Sequence, residues 1–223
     1  MKLSDTTIEI LKNFSGINPN MVFKPGSTIS TIAEAKNVMA SATIAENIPQ
    51  EFGVYDLNEF LNTLTLVEGA ELEFGKSSLT IADQNTSVEY FYSSPEVLTA
   101  PTKAVTMPKA DVQIVLTADI INRIKKAASV LGHPTLEIAG KKGVVTIRVV
   151  DTKNSTANKY SITVDEKNAC KENFSFVMVI GNLKMLPGDY TVAISSKLIS
   201  HFKNNSTPVE YFIALEKTST FGS

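Results

Sequence analysis

The sequence predicts an α+β protein made of two similar domains, each with short antiparallel strands and a pair of helices. Three observations predict it. The tetrapeptide V-E-Y-F occurs at residues 88–91 and again at 209–212, 121 positions later. A capped amphipathic run opens at Leu3-Ser4 and another at Leu116-Thr117, 113 positions apart. A strand-then-helix unit beginning at Val54 is matched by one beginning at Val177, 123 positions on. Order and spacing are both kept, as in one domain plan written twice. The expected domains cover 1–94 and 112–223, with a connector over 95–111.

Composition bounds the possibilities. A chain of 223 residues, 43% hydrophobic and 20% charged, is long and apolar enough for two packed domains. Twenty-one Lys and Arg against 23 Asp and Glu leave a net charge of −2, which opposes broad nonspecific adhesion to nucleic acid but permits a local basic face. The single cysteine, Cys170, excludes an intrachain disulfide framework. The opening M-K-L-S-D-T-T lacks the apolar core of a signal peptide, and no run approaches the roughly 18 apolar residues of a membrane helix. The expectation is a soluble, intracellular protein without a membrane partner.

In the first copy, Ser4 is a candidate N-cap. The spacing after it sets Leu3, Thr7, Ile8, Ile10, Leu11 and Phe14 on one helical face, with Lys2, Asp5, Glu9, Lys12 and Asn13 on the other. Strands are expected over 21–24, 28–33, 38–45 and 52–55, with turns at Pro25-Gly26 and Lys36-Asn37. Asp56 caps a second short helix with Leu57, Phe60, Leu61 and Leu64 as its apolar stripe. A hairpin over 70–74 and 78–82 precedes the V-E-Y-F strand. Its turn, Gly75-Lys76-Ser77, imitates the end of a phosphate-binding loop. That motif needs four residues between its glycines, whereas Gly69 and Gly75 enclose five, and it should join a strand to a helix rather than two strands.

The connector carries Pro95, Pro101 and Pro108, which favour extended chain. Its apolar side chains, among them Leu98, Val105 and Met107, either lie down on the domains or rim a groove for a partner's peptide. The second copy begins with a strand over 112–116 and a helix over 117–131 capped by Thr117. Ile120, Ile121, Ile124, Ala127, Ala128 and Leu131 share one face of that helix, and Arg123, Lys125 and Lys126 lie on the other. Strands follow over 136–139, 144–150, 159–164 and 174–179, with a polar loop over 151–158. A short helix over 181–186 carries Lys184 and stops at Pro187-Gly188; strands over 190–194, near His201-Phe202, and over V-E-Y-F complete the copy.

His133 and His201 lack a second ligand at metal spacing, Cys170 has no neighbouring His, and no nucleophile or paired-carboxylate pattern stands out. No enzyme activity, cofactor or metal site is expected. A β-rich structural subunit of a virion is the rival reading.

The most specific pieces are M-K-L-S with I-L-K-N-F ending at Phe14, V-Y-D-L-N with F-L ending at Leu61, I-A-D at 81–83, K-Y-S at 159–161, F-x-F-V at 174–177 and P-G-x-Y at 187–190. Together, and nearly end to end, the chain resembles the sliding clamps of T-even-type bacteriophages, the DNA polymerase processivity factors. The resemblance implies a DNA-clamp fold: two domains, each with two helices on an inner surface and antiparallel sheets outside, assembling as a ring. It implies a homotrimer around double-stranded DNA without sequence preference, loading by an ATP-dependent clamp loader, and tethering of DNA polymerase. It also implies contact with late-transcription sigma and co-activator factors, in the cytoplasm of the infected bacterial host.

On that basis Lys12, Arg123, Lys125, Lys126 and Lys184 are expected to face DNA. Leu98, Val105, Met107, Ile213 and Leu215 are expected to line the partner-peptide groove. Edge strands carrying Val88, Tyr90 and Tyr92 on one subunit, and Tyr160, Ile162 and Val164 on the next, are expected to meet at the subunit interface. Two helices per domain would give a trimer twelve, each about 10 Å across, around a hole of about 28 Å; a dimer's hole would be about 15 Å. Duplex DNA, with a major groove about 12 Å wide and 8.5 Å deep, does not pass the smaller opening with a water layer.

Overall fold

A computed structural model describes residues 1–154, 156–164 and 170–222. The chain divides into two compact units, Met1–Ala104 and Val105–Ser223. Each is built around a capped helix and antiparallel ladders.

In the first unit, Ser4 caps α1 (Asp5–Ser15), its hydroxyl accepting from Thr7 N at 3.3 Å. Thr7, Ile10, Leu11 and Phe14 are the buried face, the i, i+3, i+4, i+7 spacing of an amphipathic helix. Short strands follow: β1 (Met21–Phe23), β2 (Gly26–Ile32), the long β3 (Val38–Ile48) and β4 (Phe52–Val54). β1 pairs with β4, and β2 with β3. α2 (Leu57–Leu64) begins where Asp56 Oδ1 accepts from the N–H groups of Asn58 and Glu59 at 2.9 and 3.2 Å. β5 (Glu71–Phe74), β6 (Ser78–Ala82) and β7 (Ser87–Phe91) form an antiparallel meander. Gly75-Lys76-Ser77 turns between two of those strands, with Gly75 N donating to Ser78 O at 2.9 Å, so the loop is a hairpin and not a phosphate cradle. Phe23 stacks on Phe52 at 4.6 Å, and Phe60 meets Tyr90 edge-on at 5.3 Å, tying the strands to α2.

The start of α1 is secured from a distance. Glu46 of β3, only 9% exposed, accepts from Ser4 N and from the Thr7 hydroxyl at 2.6 Å. A carboxylate there meets the positive end of the helix dipole. Burial alone would raise its pKa, but the hydrogen bonds from Thr7 and Ser4 outweigh that and lower it. A lowered folded-state pKa contributes stability that is complete above the unfolded value of about 4.3 and is lost as pH falls through the folded one. Glu46→Gln should therefore cost about 1.5–3 kcal/mol at pH 7. It should also flatten the acid limb of a stability-versus-pH curve below about pH 5. Urea titrations at pH 7 and pH 3.5 check this; an equal loss at both would remove the charge from the explanation.

The beginning of the proline-punctuated stretch is docked on this unit. Asn18, fully buried, donates through Nδ2 to Ile32 O at 2.8 Å and Thr99 O at 3.2 Å, and Asn20 Oδ1 accepts from Thr99 N at 3.0 Å. Ser93 N donates to Gly53 O at 2.9 Å. A Cβ on Gly53 would lie 2.7 Å from Leu98 Cδ1, so the missing side chain is what lets the segment approach.

The second unit repeats the order. β8 (Val112–Leu116) leads into α3 (Ala118–Leu131), capped by Thr117 and ended by Gly132 in the left-handed region at φ +67°. β9 (Thr135–Lys141), β10 (Val144–Val150), β11 (Tyr160–Val164) and β12 (Phe174–Val179) follow. A second meander then runs through β13 (Tyr190–Ser195), β14 (Ile199–Asn204) and β15 (Val209–Ala214), before the short β16 (Thr220–Phe221). One sheet has the order β11-β10-β9-β12-β16; β8 lies against β13, which pairs with β14, which pairs with β15. The V-E-Y-F tetrapeptide thus falls in the last strand of each meander, β7 and β15. The chain start imitates β8: Met1 and Leu72 exchange hydrogen bonds of 2.9 and 2.7 Å, much as Leu116 is paired with Tyr190. The polar loop read over 151–158 includes Ser155, which lies outside the described residues.

One expected element is absent as such. Residues 181–186 are not a helix; a single 3-10 turn, Ile180–Asn182, stands there. Beyond it burial alternates, with Leu183 and Met185 buried and Lys184 exposed, the signature of extended chain. Tyr211 Oη accepts from Leu186 N at 3.1 Å, and Tyr190 Oη donates to Leu186 O at 2.6 Å, so two tyrosines hold the backbone that a helix would need. Six residues ending at Pro187 are also too few to nucleate a helix without that backbone. The described residues hold three α-helices, not four, and the count of twelve per trimer is corrected to nine.

Candidate nucleic-acid interface

α3 supplies the densest cationic surface among the expected residues. Ile121 and Ile124 are buried beneath it; Arg123 and Lys126 are exposed on its far side, and Lys125 is exposed on its flank, one turn on from Ile121. The helix forms where it does because Thr117 starts it, a 3.6-residue apolar period anchors it and Gly132 stops it. These three cations behave differently. Lys126 projects from an exposed position. Lys125 lines a narrow cleft of about 60 Å³ with Asn122, Met185, Leu186, Pro187 and Gly188. Its residue surface is open, yet crowding withdraws enough water from the ammonium to lower its pKa. Arg123 is engaged: Nε donates to Tyr160 Oη at 3.1 Å, and Nη1 lies 3.6 Å from Asp119 Oδ2.

Lys184 is exposed on the extended segment next to that cleft. Lys12 is exposed in the last turn of α1, in the other unit. The structure therefore brings Arg123, Lys125, Lys126 and Lys184 to neighbouring elements of one unit, and sets Lys12 on the equivalent helix of the other. What sequence reading missed is the Arg123–Tyr160 bond, together with the 2.9 Å contact of His133 Nε2 with Asn158 O just ahead of β11. No local pattern encodes a bond across 37 residues.

The expected groove is only partly at the surface. Leu98 is half-buried over Gly53 in the first unit, and Val105 and Met107 are half-buried in the second. Ile213 (0% exposed) and Leu215 (6%) are core residues and cannot line a peptide groove, a correction to that expectation. Alternation puts Val209, Tyr211 and Ile213 on the buried face of β15.

The expected interface strands sit at sheet edges. β7 is bonded to β6 on one side only, and β11 to β10 on one side only, among the described residues. On β7, Val88 and Tyr90 are half-buried, and Tyr92 just beyond packs on Phe52 at 4.9 Å. On β11, Tyr160 is half-buried and Ile162 and Val164 are each 8% exposed. These six side chains point mostly into their own units, leaving backbone N–H and C=O groups as what the edges offer.

The described residues contain no grouping of His, Cys, Asp or Glu fit to hold a metal. His201 Nε2 lies 2.8 Å from Glu210 Oε2, and the ring stacks on the buried Phe212 at 4.5 Å, a half-buried pairing on the second meander. No helix among the described residues is long and apolar enough to cross a membrane.

This architecture is that of a DNA clamp. Solved structures with the same fold include PCNA from Entamoeba histolytica, at a TM-score of 0.69 and 11% identity over 96% of this chain and 97% of that one. A. fulgidus PCNA, bound to the C-terminal region of FEN-1, matches at 0.70 and 14% over 96% of each. Residues 2–107 match the family model for DNA polymerase processivity factor, and residues 113–217 that for the C-terminal part of the gp45 sliding clamp. The sliding clamp of Vibrio phage KVP40 is 35% identical over 97% of this chain and 99% of its own length, and that of Escherichia phage RB69 is 32% identical over 99% of both. The chain belongs to the sliding-clamp family, the processivity factors of DNA polymerase. Such a protein is a tether and not an enzyme.

Proposed function

We propose that three copies of this chain close into a homotrimeric ring around duplex DNA and hold the replicative polymerase on its template. The observation that carries the reading is the exposed cationic side of α3, opposite a buried apolar stripe. Lys12, Lys125, Lys126 and Lys184 meet phosphates, which bear no sequence information, whereas Arg123, expected among them, is drawn to Tyr160 and Asp119 beside β11. Exchanging one phosphate for the next is nearly isoenergetic, so the ring slides, and the net charge of −2 keeps its outside from sticking. The three α-helices of each chain's described residues, with the turn at Ile180–Asn182 standing in the fourth place, line the passage. The rings close where the open edges of β7 and β11 pair across subunits.

Under this reading an ATP-dependent loader opens and closes the ring, and late-transcription sigma and co-activator factors use it as a second client. The setting is the cytoplasm of the infected bacterial host. The test is retention on nicked circular DNA after incubation with loader and ATP. Encirclement expects the protein to stay through a high-salt wash and to leave when the circle is linearised. Loss from the intact circle in that wash, or persistence on linear DNA, would overturn it.

A further inference from the structure

We propose that Arg123 is the basic half of a charge pair across the junction between two copies, with Glu59, supported by Asp56, as the acidic half on α2 of the neighbouring copy. The inference rests on the ring reading above, and on closure through β7 and β11.

The arginine is fixed beside an open edge. Its hydrogen bond to Tyr160 Oη, at 3.1 Å, anchors it to the first residue of β11, and its side chain is still 52% exposed. His133 holds the approach to the same strand through Asn158 O. α3 and the residue just past its Gly132 cap thus set the first residue and the lead-in of β11, and leave the guanidinium at its flank.

The other open edge has an acidic flank. Tyr90 of β7 packs edge-on against Phe60 of α2 at 5.3 Å. Burial first, and then the nearby charges of Glu59 and Asp56, push the Tyr90 hydroxyl up to about 12. Both carboxylates therefore stand close to the helix-facing side of β7. Asp56 is occupied as the N-cap of α2, whereas Glu59 is exposed one turn along.

Register brings the two flanks together. The ladders within each unit are antiparallel, and a one-residue slip would turn every side chain to the wrong face of a sheet. Antiparallel pairing of β7 with β11 that keeps the helix-facing sides together puts Tyr160 opposite Tyr90 or Tyr92. Either register carries Arg123 towards the first turn of the neighbour's α2. The contact is between unlike surfaces, so it orients copies head to tail, as a closed ring requires. Asp119, 3.6 Å from the guanidinium, lies on the same exposed helix face and does not exhaust its donors.

Sedimentation equilibrium on Arg123→Glu, Glu59→Lys and the double variant tests the pair. Each single reversal should raise the concentration of half-dissociation by about tenfold or more, and the double variant should return to within about threefold of the unaltered protein. Tyr160→Phe, which loses only the anchor, should weaken association by about threefold while leaving the melting temperature of the dilute chain unchanged. Arg123→Glu associating as tightly as the unaltered protein, or a double variant no better than the weaker single, would overturn the proposal. Tyr160→Phe with unaltered association would also overturn it. An unaltered protein that stays monomeric at every concentration would remove the ring itself, a result distinct from those.

Discussion

Replacing Lys125 and Lys126 together by Glu is expected to reduce processive synthesis by at least about tenfold at physiological ionic strength, while self-association stays unchanged. Both residues are exposed, Lys126 opposite Ile121 and Ile124 and Lys125 on the flank beside the cleft, so neither belongs to the buried core. In a trimer the change turns six positive charges into six negative ones, and phosphate attraction into repulsion. A purely topological tether would tolerate weakened attraction, but not a passage that repels its occupant, because loading must bring duplex into the opening. Lowering the salt should make the deficit worse, since screening then hides less of the repulsion. Primer-extension length on a long single-stranded template, with loader and polymerase, reads the effect; sedimentation of the same preparation reads assembly. Normal extension would mean that this helix face does not meet DNA. Loss of assembly would mean that the two lysines belong to an interface.

The second large effect concerns stability. Gly53→Val should destabilise the first unit by about 3 kcal/mol. β4 is three residues long, and residues 93–99 lie directly on it, with Ser93 bonded to Gly53 in an isolated bridge. A Cβ would overlap the Ser93 carbonyl oxygen and stand 2.7 Å from Leu98 Cδ1. The nearest obstacle is backbone, which cannot rotate aside as a side chain could. Relief requires the segment to lift, and lifting it takes from the buried Asn18 amide one of its two acceptors, Thr99 O, leaving Ile32 O. Thermal melting should show the loss, and limited proteolysis should show earlier cleavage near residue 98. A protein melting within a degree of the unaltered one would refute the close packing.

Much of the fold was legible before any coordinates. The signals that worked were local. Ser4, Asp56 and Thr117 cap the three α-helices of the described residues, and Gly132 ends the last in the left-handed conformation. The duplicated V-E-Y-F marked equivalent strands, because both close a three-stranded meander. The miss at 181–186 has a long-range cause. Leu183 and Met185 could belong to a helix or to an extended segment; Tyr190 and Tyr211 decide between them by bonding to Leu186. Ile213 and Leu215 are core rather than groove residues for a similar reason. Apolar residues of the last meander suit a groove or a core equally well until their burial is known.

The candidate site divides along the same line. That α3 has a cationic face follows from 3.6-residue periodicity alone, and the order of residues is enough to establish it, together with the two-fold repetition, the helix ends and the membership of the sliding-clamp family. These depend on residues within a few positions of each other, or on identities matched along the chain. Tertiary structure alone decided that Arg123 is held by Tyr160, that Lys125 borders a cleft with residues 185–188, and that Leu98 is seated over Gly53. Those contacts join residues tens of positions apart, and which of them form is settled only when the sheets and helices have packed.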